Sequence, residues 1–178
     1  MGTLYAVRHG RTPGNDAHLI QGSTNVNLNE KGIMQATELF QKVNKLDIDV
    51  CISSTLNRAY QTAKIIYPYG EIITMNCFEE RHFGNYENLK TSDVDFKSWW
   101  NYESDIKFCE NGESIKEFVD RVFKGMNFIK ENYKDKNILL VTHGGVFSAI
   151  DCYFNGITND LSNVLFNTKN CSMAEYKL

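Results

Sequence analysis

The chain of 178 residues is 42% hydrophobic, 12% aromatic and 23% charged, a profile that excludes a disordered, collagen-like or disulfide-scaffold protein. Its 19 Lys and Arg stand against 22 Asp and Glu for a net charge of -3, so no basic excess recruits nucleic acid or anionic lipid. A chain this long buries roughly two-thirds of its unfolded surface, enough for a core without metal or disulfide staples, and one domain over residues 1–178 is expected.

In chain order, Thr3 to Val7 reads as a short buried strand that ends in Arg8-His9-Gly10. The approach to this strand reaches charge too soon for a signal segment or a membrane span, which suits a cytoplasmic protein. Asn29 is placed to cap a helix carrying Ile33, Ala36, Leu39, Phe40 and Val43 at spacings of three and four. Asp49 to Ile52 is a second strand, and Ser54 or Thr55 is placed to cap a helix carrying Leu56, Ala59, Thr62, Ala63 and Ile66. Glu71 to Thr74, like Asp49 to Ile52, is a weaker strand than Thr3 to Val7.

The stretch at about 78–113 breaks the rhythm. It is rich in aromatics (Phe83, Tyr86, Phe96, Trp99, Trp100, Tyr102, Phe108) and reads as an insertion beside the strand ends that walls a pocket, with a partner surface as the competing reading. Ser114 then caps a long helix carrying Ile115, Phe118, Val119, Val122, Phe123, Met126 and Ile129. Ile138 to Val141 is another buried strand, Gly145 to Tyr153 a helix apolar nearly all round, and Cys171 to Leu178 a strand-like end. This alternation predicts an α/β three-layer sandwich with a mostly parallel central sheet flanked by helices. The aromatic segment and the final stretch leave monomer and homodimer both open.

Such sheets bind ligands outside the carboxyl ends of their strands, and three strand ends here deliver basic groups. The first is Arg8-His9-Gly10. The second is Arg58, in the first turn of its helix, where the macrodipole disfavours a cation unless an anion occupies the helix mouth. The third is Thr142-His143-Gly144-Gly145, where a strand gives way to a helix. His18 and His82 read as surface or loop residues, and no HxH or HExxH spacing argues for a metal. Cys51, Cys77, Cys109, Cys152 and Cys171 include no CxxC pair and read as idle thiols in a reducing compartment.

These segments together resemble the histidine phosphatase superfamily, also called the phosphoglycerate mutase-like family. Arg8-His-Gly-Arg-Thr12-Pro-Gly-Asn15 is similar to its RHG signature, Ser53 to Ala63 to its SxxxRAxQTA motif, and Thr142 to Gly145 to its THGG. Glu80 matches its acidic position, and Gln21-Gly22, Gly32 to Ala36 and Gly112-Glu-Ser114 follow its pattern. Asn25-Val-Asn-Leu28 departs from the Asp-x-Pro-Leu common in the family.

The resemblance implies a metal-independent phosphatase of small phosphorylated metabolites, alpha-ribazole phosphatase-like or of broad specificity, with no cofactor. His9 would attack phosphorus as a neutral imidazole, and Arg8, Arg58 and a protonated His143 would neutralise the dianion. Glu80 would protonate the leaving alcohol and then activate water, with Glu79 and Glu87 as competing acids. Thr12, Asn15, Gln21, Gly22 and Gly144 are expected around the substrate, with Ser23 and Thr24 near the phosphate oxygens. Two rival functions remain: a cofactor-dependent phosphoglycerate mutase, whose family versions are several tens of residues longer, and a module that binds phosphorylated ligands without turnover.

Overall fold

The computed structural model describes residues 2–103 and 110–178; Phe108 and Cys109 lie outside the described residues. The elements are β1 (Thr3–Arg8), α1 (Pro13–Asp16), α2 (Glu30–Val43), β2 (Val50–Ser53), α3 (Asn57–Ile66), β3 (Ile72–Thr74), α4 (Ile115–Tyr133), β4 (Ile138–Thr142), α5 (Gly144–Asn155), α6 (Ser162–Asn167) and β5 (Met173–Lys177). The strands form one sheet in the order β3-β2-β4-β1-β5, parallel except for β5, which pairs antiparallel with β1. The strand-like end of the sequence is thus an edge strand of the chain's own sheet.

Alternation along each strand sorts side chains to two faces. Leu4, Ala6, Ile52, Ile138 and Leu140 pack under α4 and α5 with Phe118, Val122, Met126 and Ile150. Val7, Cys51, Leu139 and Val141 pack under α2 and α3 with Leu39, Val43, Ala59, Ala63 and Ile66. These two cores make the three layers that the periodicity predicts. α4 begins with a capping box, Ser114 and Glu117 bonding each other's backbone N–H, and α2 begins at Asn29, whose side chain accepts from Gly32 N. Among the described residues no helix is long and apolar enough to cross a membrane.

One cap differs from expectation. α3 has Leu56 at its N-cap and no side-chain cap bond of its own. The Ser54 hydroxyl sits 2.8 Å from His143 Nε2 and the Thr55 hydroxyl donates to Glu79, so both candidate caps serve other partners. The helix mouth is served from elsewhere: Asn25 Oδ1 accepts from Asn57 N at 2.7 Å, and Asn27 Oδ1 accepts from Asn57 Nδ2 at 3.0 Å. The segment that departs from the family pattern therefore ties down the helix that carries Arg58.

The 78–113 segment, where described, contains short 3₁₀ turns and no long helix or strand. It is core rather than exposed partner surface, because Phe83, Trp99 and Trp100 are 3%, 5% and 1% exposed. Phe83 and Trp100 lie edge to face at 6.0 Å, and Trp100 meets Phe118 of α4 at 6.0 Å. The buried Arg81 guanidinium holds the segment in place: it donates to the Trp99 and Glu113 carbonyls and lies 5.5 Å and 5.6 Å from the Phe83 and Trp100 ring centres.

Candidate active site

The parallel register sets the strand ends level, Arg8 beside Thr142 and Ser53 beside Val141. The ladder runs one step further, His9 N donating to Thr142 O and Ser54 N to Val141 O, both at 2.9 Å. His9, His143 and Ser54 are thereby brought to one edge. The His9 and His143 rings lie 5.1 Å apart.

His9 Nδ1 is 2.7 Å from the Gly10 carbonyl oxygen. A carbonyl only accepts, so Nδ1 carries the proton and the Nε2 lone pair is left free. Gly10 N–H donates to Thr62 Oγ1 at 2.9 Å and clamps the loop to α3. Arg58, 1% exposed, donates to Thr24 O and Gly22 O at 2.7 Å each. Gly22 has φ +48, the left-handed region that glycine enters without strain. Arg8 donates to the Thr168 carbonyl. Arg8 Nε, Arg58 Nε and His143 Nδ1 are buried and make no hydrogen bond within the described protein. A buried polar atom so left costs about 1–3 kcal/mol, so several of them around one strand edge mark a ligand site.

Burial pushes the Arg58 guanidinium down to about 10, with Glu80 and Glu87 opposing the fall and Arg8 adding to it; the group stays cationic at neutral pH. Burial also pushes Arg8 down, opposed by Glu80. His9 and His143 are both held well below 6.5, first by burial and then by the neighbouring Arg58 and Arg8. The expectation of a protonated His143 therefore does not describe the ligand-free site, where desolvation keeps the ring neutral; a bound dianion would favour the imidazolium.

This has a consequence for stability. The unfolded chain takes up protons at these histidines near pH 6.5 and the folded chain does not, so the unfolded state binds more protons below that pH and stability falls with acidification. The slope is up to about 1.4 kcal/mol per histidine per pH unit below 6.5. Urea midpoints should drop between pH 7.5 and 5.5, with a smaller drop in His143→Gln and with saturating vanadate; a midpoint indifferent to pH would contradict neutral burial.

Glu80 enters from the loop after β3. Its Oε2 accepts from Gly145 N at 3.0 Å and its Oε1 from Arg81 N at 2.9 Å. A Cβ on Gly145 would lie 2.3 Å from Glu80 Oε1 and 2.4 Å from Trp100 Cη2, so the second glycine after His143 makes room for the acid and the indole. The competing acids are engaged elsewhere. Glu79 accepts from Thr55 and lies 3.7 Å from His82, while Glu87 accepts from Ser23 N, Ser23 Oγ and Thr24 Oγ1. Ser23 and Thr24 thus spend their hydroxyls on Glu87 rather than facing a phosphate.

A cavity of 330 Å³ joins these groups. Arg8, His9, Arg58 and Glu80 line it, as do Asn15, Gln21 and Gly22 among the residues expected around the substrate. Thr12 stands behind the wall: its hydroxyl donates to Gln21 Oε1 at 2.7 Å and its backbone N–H to Asn15 Oδ1 at 3.2 Å, orienting both. Gly144 is not a wall residue either; a Cβ there would sit 3.3 Å from Arg8 Cζ and 2.9 Å from Leu165 Cδ1, so it permits their approach. His143 is fully buried, its ring 5.1 Å from that of His9, and does not line the cavity. Among the described residues no group of three or more His, Cys, Asp or Glu is placed to hold a metal ion.

A family model for the histidine phosphatase superfamily, branch 1, matches residues 4–178. The chain belongs to the histidine phosphatase superfamily. Among its relatives in the superfamily, the Bacillus subtilis phosphatase PhoE is 29% identical over 190 residues, covering 100% of this chain and 95% of the relative. A metal-independent phosphoserine phosphatase of Arabidopsis thaliana is 32% identical over 157 residues, covering 83% of this chain and 66% of the relative. The crystal structure of a phosphoserine phosphatase mutant from Entamoeba histolytica, in complex with phosphoserine, has the same fold, with a TM-score of 0.86 at 24% identity over 98% of this chain and 90% of that one.

Sequence reasoning missed several parts of this histidine phosphatase site. Asn170 Nδ2 donates to His9 O at 3.0 Å and Asn15 Oδ1 at 3.2 Å, which ties the His9 loop to the segment before β5. Arg121 of α4 grips Glu113 with two nitrogens at 2.7 Å and 2.8 Å and donates to the carbonyls of Cys77 and Glu79 at 2.9 Å and 3.1 Å, so it fixes the loop that aims Glu80. Neither residue sits in a local pattern that carries chemistry. The one available signal was Glu113 itself, within Gly112-Glu-Ser114, read only as part of the resemblance.

Proposed function

We propose that the chain hydrolyses small phosphate monoesters through a phosphohistidine at His9. The observation that carries this is the His9 imidazole, its Nδ1–H donating to the Gly10 carbonyl and its other nitrogen free, in one cavity with Glu80, Arg8 and Arg58. The ester's phosphate would rest against the two guanidinium groups, whose fixed charge meets the oxygens where charge spreads in the transition state. His9 Nε2 then attacks phosphorus in line, the P–N bond forms as the P–O bond breaks, and protonated Glu80 gives its proton to the departing alkoxide. In the second half-reaction the Glu80 carboxylate takes a proton from water, the water oxygen bonds to phosphorus, and the P–N bond breaks to release phosphate and restore the imidazole.

Asn15, Gln21 and Gly22 are assigned to the cavity rim around the substrate, with Thr12 and Gly144 supporting them. Relatives named as phosphatases support hydrolysis over mutase or binding-only function. A reducing, cytoplasmic setting suits Cys51, Cys77, Cys152 and Cys171, which are free thiols. The test is phosphate release from a panel of phosphorylated metabolites with excess chelator. Hydrolysis should be unchanged by chelation, since guanidinium and imidazole charges supply the electrostatics; a strict metal requirement, or interconversion of phosphoglycerates without phosphate release, would overturn the reading.

A further inference from the structure

The catalytic cavity opens into a second one. A cavity of 640 Å³ adjoins it, and both are lined by His18, Thr91, Phe96 and Phe166, which therefore form a neck between them. Nothing in the chemistry proposed for His9 and Glu80 uses this outer chamber.

The neck has the character of a ligand contact. Phe96 is locked in place, its ring packed against Phe83, Trp99 and Trp100 at 5.3, 5.7 and 6.0 Å. Opposite it, 6.3 Å away and steeply tilted, Phe166 of α6 is 56% exposed. A large ring left in water beside a catalytic pocket gains most from a flat apolar group laid against it. His18 completes the neck with φ 54, a conformation uncommon for a residue other than glycine, held by hydrogen bonds from Thr91 N at 3.0 Å and Thr91 Oγ1 at 3.3 Å to its carbonyl. Strain of that kind persists where surrounding contacts over-determine it, commonly at ligand sites.

Charge changes along the path. In the inner cavity Glu80 is the sole acidic lining residue among those described, against Arg8, Arg11 and Arg58, so an alcohol bearing an ammonium near the ester finds little complement. In the outer chamber Lys90 and Lys97 stand against Asp95, whose carboxylate lies 3.4 Å from Ser98 N in its own turn. Neither lysine ammonium is held in a hydrogen bond or close ion pair with a described residue, and Lys97 acts on Asp160 only through space.

We infer that the two cavities form one substrate channel whose preferred leaving alcohol is elongated, with a planar apolar ring in the Phe96–Phe166 neck and an anionic group, carboxylate or phosphate, at Lys90 and Lys97. The inference rests on the monoesterase reading and names its substrate class. Compact zwitterionic alcohols such as serine would fill only the inner cavity.

Four monoesters test it: phosphoserine, phenyl phosphate, 4-biphenylyl phosphate and its 4'-carboxylate. kcat/KM should rise from phenyl to biphenylyl phosphate and again, about tenfold over phenyl, for the carboxylate, with phosphoserine lowest. The Lys90→Ala/Lys97→Ala double variant should lose about three- to fivefold on the carboxylate, the scale of two exposed charge pairs, and stay within about twofold on phenyl phosphate. Phe166→Ala should raise KM for both biphenylyl esters alike. Equal treatment of the esters by the native protein, or equal losses on all of them in the lysine variant, would overturn the channel. Calorimetric binding of the same esters to His9→Ala reads the channel without turnover, so an absence of hydrolysis would count against the phosphatase reading while the order of affinities still decides this one.

Discussion

His9→Ala should lower turnover of every phosphate monoester by about 10⁴-fold or more, the scale seen when a covalent nucleophile is removed from a preorganised site. The loss should fall on kcat, with substrate still bound, because Arg8 and Arg58 reach the cavity independently: one is held by the Thr168 carbonyl and the other by those of Thr24 and Gly22. The fold should survive. His9 is held by its backbone in the sheet ladder, and removing a buried neutral imidazole also removes a group whose desolvation opposes folding at acid pH. Rapid quenching of the native enzyme with labelled ester should trap label that is stable in base and lost in acid, and His9→Ala should trap none. Label on another side chain, or a variant retaining a tenth of native kcat, would refute nucleophilic His9.

Substituting Glu80 should separate the two half-reactions. In Glu80→Gln an alkyl phosphate should lose about 10²- to 10⁴-fold in kcat, the usual share of a positioned acid or base. With 4-nitrophenyl phosphate the leaving group departs without a proton, so phosphorylation of His9 should stay fast while attack by water slows. The signature is a burst of nitrophenolate equal to the enzyme concentration, followed by a slow steady state. The amide also presents an N–H₂ group to one of the two donors, Gly145 N and Arg81 N, that the carboxylate satisfies, so a modest loss of stability of about 1 kcal/mol should accompany the kinetic effect. Glu79→Gln is the control: its carboxylate faces Thr55 and His82, away from the cavity, and kcat should change by less than about threefold. Equal losses on both esters without a burst, or a large loss in Glu79→Gln, would move the acid elsewhere.

Particular residues show where local reasoning reached and where it stopped. Asn29 and Ser114 were legible as caps because a cap is a contact between neighbours in sequence, and both bind the backbone three residues on. Ser54 and Thr55 have the same local credentials, yet their hydroxyls turn to His143 and Glu79, 89 and 24 residues distant. Arg58 was legible for the opposite reason: a cation in a first helical turn is locally unfavourable, and the misfit pointed to an anion.

Short apolar runs and repeats at spacings of three and four, read from the order of apolar side chains alone, specified a mostly parallel sheet between two helical layers, and the strand-end positions of Arg8, His9, Arg58 and His143 followed, because secondary structure and its burial are repeated short-range effects. Tertiary structure decided which of three glutamates faces the cavity, that burial holds both histidines well below 6.5, that Asn170 and Arg121 brace the loops of His9 and Glu80, and that Phe96 and Phe166 line both cavities. Those outcomes depend on desolvation and on contacts across 42 to 161 residues, quantities that arise only once the strands are ordered side by side and water has been excluded from between the layers.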